Sequence, residues 1–110
     1  MVKDYSVKSL GTVAIMGVGL IGGSIGLAIR ERGLSDRVIG IGRNQAKLRK
    51  ARQKGAVTET TTRIDRGVSE ADIVFVCTPV QHVIEHVKQI SEYVGPDTLI
   101  TDVGSTKQTI

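Results

Sequence analysis

The sequence predicts an α/β fold: a doubly wound parallel sheet in strand order 3-2-1-4-5, with helices on both faces. Three observations carry that expectation. Short β-branched apolar runs alternate with longer segments of helical period along the chain. The first run (Val13, Ala14, Ile15, Met16) is apolar at consecutive positions, as in a strand covered on both sides. A glycine-rich turn joins that run to the next helical segment, and the crossovers between parallel strands are expected to be right-handed.

Taken in order, residues 1–11 read as a short irregular lead-in. A strand over 12–16 is followed by a helix over 20–32, which Gly33 stops. Arg37-Val38-Ile39-Gly40-Ile41 forms the second strand. Asn44 caps a second helix that ends at Gly55. A threonine-rich third strand over 57–60 and a short helix or helical turn over 64–70 come next. Asp72-Ile73-Val74-Phe75-Val76-Cys77 is the fourth strand. Thr78 then caps a long helix, with Pro79 at its first position. Val80, Val83, Ile84, Val87, Ile90 and Val94 recur at helical spacing and are expected to form its buried face. Gly95-Pro96 ends that helix before a fifth strand, Thr98-Leu99-Ile100-Thr101.

A chain of 110 residues supports one domain with one layered core. No apolar run reaches the length of a membrane span, and the first residues do not resemble a signal peptide. The single cysteine, Cys77, leaves no internal disulfide and suits a reducing compartment, so a cytoplasmic protein is expected. The net charge is +4, and Arg43, Lys47, Arg49, Lys50, Arg52 and Lys54 follow one another with no acid between them. Such a run reads as the solvated face of a helix. Nucleic acid is not an expected partner, because Tyr5, Phe75 and Tyr93 are the only aromatic residues and no duplex-binding motif is present.

The turn Gly17-Val18-Gly19-Leu20-Ile21-Gly22 is a G-x-G-x-x-G between a strand and a helix, the context of a Rossmann-type dinucleotide site. Gly17 permits the tight turn, Gly19 leaves room for a diphosphate, and Gly22 lets the helix approach the sheet. Ligands of such sheets lie beyond the carboxyl ends of the strands. Three segments should converge there: the glycine loop, Thr78-Pro79-Val80 and the stretch from Asp102 to Lys107. The residue expected to select the cofactor follows the second strand. There Gly42, Arg43 and Asn44 stand where an NAD site usually has an acid. Arg43, aided by Lys47, suits a 2′-phosphate, so NADP is expected over NAD; Arg43 pointing into water is the competing reading. The expected cofactor-binding residues are Gly17, Gly19, Leu20, Ile21, Gly22, Arg43, Asn44, Lys47, Cys77, Thr78, Pro79, Val80, Asp102 and Gly104, with no metal ligands. Ser105 either touches a substrate or caps the next turn. His82-Val83-Ile84-Glu85-His86 fits the zinc pattern H-x-x-E-H but reads as coincidence, with His82 a solvated histidine near the crevice. Cys77 reads as a small core residue rather than a nucleophile, and Ser24 as a small residue for close packing.

The glycine loop with its Gly23-Ser24 extension, Cys77-Thr78-Pro79-Val80 and Asp102-Val103-Gly104-Ser105-Thr106-Lys107 together resemble the N-terminal domain of prephenate/arogenate dehydrogenases. The likeness covers nearly the whole chain. It implies oxidation of prephenate or arogenate by hydride transfer to NAD(P), with decarboxylation, in tyrosine biosynthesis. It also implies that Ser105 lies beside the substrate's ring hydroxyl and that Thr78 and Pro79 lie along the cofactor. The family's catalytic histidine, in a His-Pro motif, and its helical substrate and dimerisation domain would follow Ile110. The chain is therefore expected to be an inactive cofactor-binding fragment of a homodimeric enzyme, with some apolar surface left exposed. Two alternatives remain: another oxidoreductase of the hydroxyacid or pyrroline-carboxylate reductase type, and a non-catalytic nucleotide sensor.

Overall fold

The alternation of β-branched runs and helical segments is realised as a single sheet. The computed structural model describes residues 10–103. Its elements are β1 (Thr12–Met16), α1 (Leu20–Glu31), β2 (Arg37–Ile41), α2 (Gln45–Gln53), β3 (Glu59–Thr61), α3 (Ile64–Val68), β4 (Ile73–Val76), α4 (Val80–Ser91) and β5 (Leu99–Asp102). All pairings are parallel, in the order β3-β2-β1-β4-β5, as the sequence predicts.

The consecutive apolar positions of β1 feed two cores. Val13 and Ile15 join residues of α1 and α2 on one face, including Ile29, Leu48 and Ala51. Ala14 and Met16 join Val68, Val83 and Ile90 of α3 and α4 on the other. Val13, Ala14 and Ile15 are fully buried; a valine or isoleucine in such a place contributes about 1.5–3 kcal/mol over an exposed one. Cover is uneven on the first face. Over β4 and β5, Ile73 and Phe75 are half-buried and Leu99 is 58% exposed.

Three features depart from the sequence expectation, one in β3 and two in α4. β3 begins at Glu59 rather than Val57. Val57 is buried in the core, and the Thr58 hydroxyl takes the N–H of Val38 at 3.0 Å, so a side chain fills the ladder position where a carbonyl would sit. Thr78 does not cap α4. Pro79 holds the cap position with an extended ψ of 144° and no side-chain cap, so the helix starts one residue later than expected, and the Thr78 hydroxyl is engaged with His86 instead. The buried face of α4 is also narrower than the apolar spacing implies. Val83 and Ile90 are buried, and Val87 and Val94 pack against the same cluster, but Val80 is 39% and Ile84 73% exposed.

Close approach of α1 to the sheet depends on glycine, not on Ser24. A Cβ at Gly22 would strike the Gly17 carbonyl oxygen, and one at Gly26 would strike the Ala56 carbonyl oxygen. Ser24 is exposed and its hydroxyl donates to the Leu20 carbonyl at 3.0 Å. Gly23, by contrast, would meet nothing nearer than 3.8 Å. Substituting Gly26→Ala should therefore destabilise the protein by about 1–3 kcal/mol. Gly23→Ala should stabilise it by up to about 1 kcal/mol through helix propensity. Urea denaturation of both variants checks this; equal effects would contradict the packing assigned to Gly26.

Candidate functional site

The register of the sheet draws the candidate residues together. Met16 pairs with Ile41 and Val76, and Val76 pairs with Asp102, so four strands end in one row. Bonds just past that row continue it. Gly17 N–H donates to the Ile41 carbonyl at 2.8 Å, Cys77 N–H to Met16 at 2.9 Å and Val103 N–H to Val76 at 3.2 Å. The glycine turn, the segment from Arg43, the Thr78-Pro79 turn and the start of the Asp102 segment therefore leave one edge of the sheet. Gly104, Ser105, Thr106 and Lys107 lie outside the described residues.

The glycine turn has the geometry its motif implies. Gly17 has φ +91°, which favours glycine. A Cβ at Gly19 would meet nothing within 4 Å, so the backbone there faces open space. Gly19 is also the cap residue of α1, with no side-chain cap bond and no acid in the first turn. Such a helix end presents amide donors and the positive pole of its dipole. Ile21 is half-buried, whereas Leu20 is 90% exposed beside the turn. A diphosphate therefore fits this backbone, with no described residue within 4 Å of the place a Gly19 Cβ would occupy.

Beyond β2, Arg43 is exposed and lies in no ion pair among the described residues. Asn44 caps α2 as expected, its Oδ1 accepting the Lys47 N–H at 3.0 Å. That bond engages Asn44 Oδ1 in the helix, while the Lys47 side chain is exposed. All six cations from Arg43 to Lys54 are exposed, the solvated face expected. An open groove of about 340 Å³ runs between α1 and α2, bordered by Gly19, Leu20, Ser24 and Leu27 on one side and Lys47, Lys50 and Lys54 on the other.

Beyond β4, the Thr78 methyl carbon lies 3.0 Å from the place a Gly17 Cβ would occupy, so the two turns touch. The Thr78 hydroxyl is 2.9 Å from His86 Nδ1. Pro79 and Val80 are exposed at the mouth. Cys77 is partly buried; burial pushes its thiol up to about 11 and the Asp102 carboxylate adds to this. The thiol is therefore protonated near neutral pH, which fits a packed side chain and not a nucleophile.

Sequence reasoning left His86 in a coincidental motif and did not see its bond to Thr78. The signal available was its place two turns along from Thr78, on the helix that the threonine precedes. Burial holds the His86 imidazole below the usual histidine range; the charges of His82 and Arg43 act in the same direction and Glu85 opposes them. His82 is exposed, its ring 6.0 Å from that of His86.

Because the unfolded chain takes up the His86 proton more readily than the folded one, this group's contribution is complete above about pH 6.5 and lost as pH falls below it. Thermal melts between pH 5 and 8 should show a shallower acid decline for His86→Asn than for the wild type. Parallel curves would contradict that assignment.

The geometry can be set beside known proteins. The family model for the prephenate dehydrogenase nucleotide-binding domain matches residues 25–110. A prephenate dehydrogenase of Bacillus subtilis (strain 168) is 36% identical over 100 residues, covering 90% of this chain and 27% of that protein. The chain thus spans about a quarter of that relative's length. Among solved structures, prephenate dehydrogenase from A. aeolicus, in complex with hydroxyphenyl propionate and NAD+, superposes with a TM-score of 0.78 at 31% identity, covering 86% of this chain and 33% of the other. Synechocystis arogenate dehydrogenase gives a TM-score of 0.77 at 30% identity, covering 84% and 32%. The chain belongs to the family of prephenate dehydrogenase nucleotide-binding domains.

Proposed function

We propose that this chain is the pyridine-nucleotide-binding domain of a prephenate or arogenate dehydrogenase, serving oxidative decarboxylation in tyrosine biosynthesis. The observation that carries the reading is the uncapped start of α1 behind Gly17 and an open Gly19, on the edge where four strands end. The family supports it, and so do relatives whose names or bound NAD+ place them in that chemistry.

In this reading the first-turn amides of α1 and the backbone at Gly19 hold the diphosphate. Arg43, with Lys47 behind it, receives the adenosine ribose; with no acid at the end of β2 and no ion pair on Arg43 among the described residues, NADP is favoured over NAD. Thr78, Pro79 and Val80 line the path toward the nicotinamide, with Cys77 and Asp102 behind them. Ser105 contacts the substrate. A bound nicotinamide supplies the hydride acceptor. The chain's own contribution is to hold and orient it, and turnover belongs to the longer protein, a homodimer that acts on a small-molecule acid in the cytoplasm. Among the described residues no helix is long and apolar enough to cross a membrane.

Titration calorimetry with NAD+ and NADP+ tests the assignment. Both should bind, NADP+ more tightly. Arg43→Ala should remove about tenfold or more of the NADP+ affinity while sparing NAD+, the scale of a charge-assisted hydrogen bond. Failure of both nucleotides to bind would overturn the reading; tighter binding of NAD+ would overturn the NADP assignment alone. Assay of the full-length protein with prephenate and with arogenate identifies the acid.

A further inference from the structure

Thr78 is fixed at two points. Its methyl group lies against the Gly17 turn, and its hydroxyl lies 2.9 Å from Nδ1 of His86 on α4. A threonine hydroxyl at the mouth of a crevice would otherwise rotate and offer either its proton or a lone pair. A histidine nitrogen removes that freedom, because only one of the two atoms can supply the hydrogen. His86 is half-buried, His82 and Glu85 are its charged or titratable neighbours on the same helix, and Arg43 acts on it from the β2–α2 turn. Those surroundings favour the neutral ring, which accepts at Nδ1 when its proton sits on Nε2.

We propose that His86 is a positioning residue for the nucleotide crevice: its Nδ1 accepts the Thr78 hydroxyl proton and so fixes Thr78 as a hydrogen-bond acceptor toward a ribose hydroxyl. The inference rests on the nucleotide-binding reading for the ligand, but the hydrogen bond and the ring tautomer are properties of the free protein. It makes α4, through one side chain, a determinant of how the β4–α4 turn meets the glycine turn. Histidine is suited to this place because its Nδ1, one bond beyond Cγ, lies within 2.9 Å of the Thr78 hydroxyl and can accept a proton there when the ring is neutral.

Two measurements test the proposal. In the free 110-residue chain, imidazole nitrogen shifts at pH 8 should show His86 in the Nε2–H tautomer, and Thr78→Val should convert it to a mixture of tautomers. A mixture in the wild type, or no change in Thr78→Val, overturns the proposal whether or not nucleotide binds. In the second measurement, NAD+ affinity is compared across His86 variants whose melting confirms folding. His86→Leu should weaken binding about fivefold, the scale of one net hydrogen bond. His86→Asn, whose amide oxygen stands near the Nδ1 position, should restore affinity to within about twofold, whereas His86→Gln should not. In a His86→Leu background, Thr78→Val should have no additional effect. Unchanged affinity in His86→Leu, or equal losses in His86→Leu and His86→Asn, overturns the positioning role. Absence of NAD+ and NADP+ binding by the wild type would instead count against the nucleotide reading, leaving the tautomer measurement to decide the role of His86.

Discussion

The contact on which the site depends is between two glycines. α1 rises from the sheet with Gly22 against the Gly17 carbonyl, an approach any Cβ would block. That closeness sets the first turn of α1 directly over the end of β1, where its amides and dipole face the crevice. A larger residue at 22 would push the helix away, and the anion-attracting end would move with it. Gly26 repeats the device one turn later against Ala56, at the connection between α2 and β3. The helix is thus held at two points by the absence of side chains, and Ser24 between them is left free to face the groove.

The rest of the sheet serves the same edge. The pairing of Ile41, Met16, Val76 and Asp102 brings the turns after β2, β1, β4 and β5 to one level. Parallel pairing makes this unavoidable, since every strand delivers its carboxyl end to the same side. The cores on the two faces hold the row rigid, while chemistry is left to the turns. Arg43 follows β2 and His86 lies on α4, so the cation available to a phosphate and the ring that holds Thr78 come from different elements of the same edge.

Much of this was legible in the sequence because local and global preferences agree. β1 had to be covered on both faces, since four consecutive apolar residues leave no polar side for water. Asn44, Gly33 and Gly55 mark helix ends by mechanisms that need no tertiary context; the two glycines adopt φ of +66° and +85°. The departures arise where a side chain competes with the backbone. Thr58 takes over a ladder bond by its hydroxyl, shortening β3. Thr78 had the residue type of a cap but spends its hydroxyl on His86. Ile84 keeps the helical period of α4, yet periodicity cannot say where the neighbouring layer stops, and 73% of it stays exposed. The Ser105 segment lies outside the described residues, so its part in the site rests on sequence and resemblance.

The most direct test of the central claim is a backbone amide shift map of the chain during titration with NADP+. The account requires the largest perturbations at residues 17–23, with a second set at Arg43 and at Thr78 through Val80. Perturbations confined to the far end of the groove between α1 and α2, at Leu27, Lys50 and Lys54, with residues 17–23 unmoved, would contradict it.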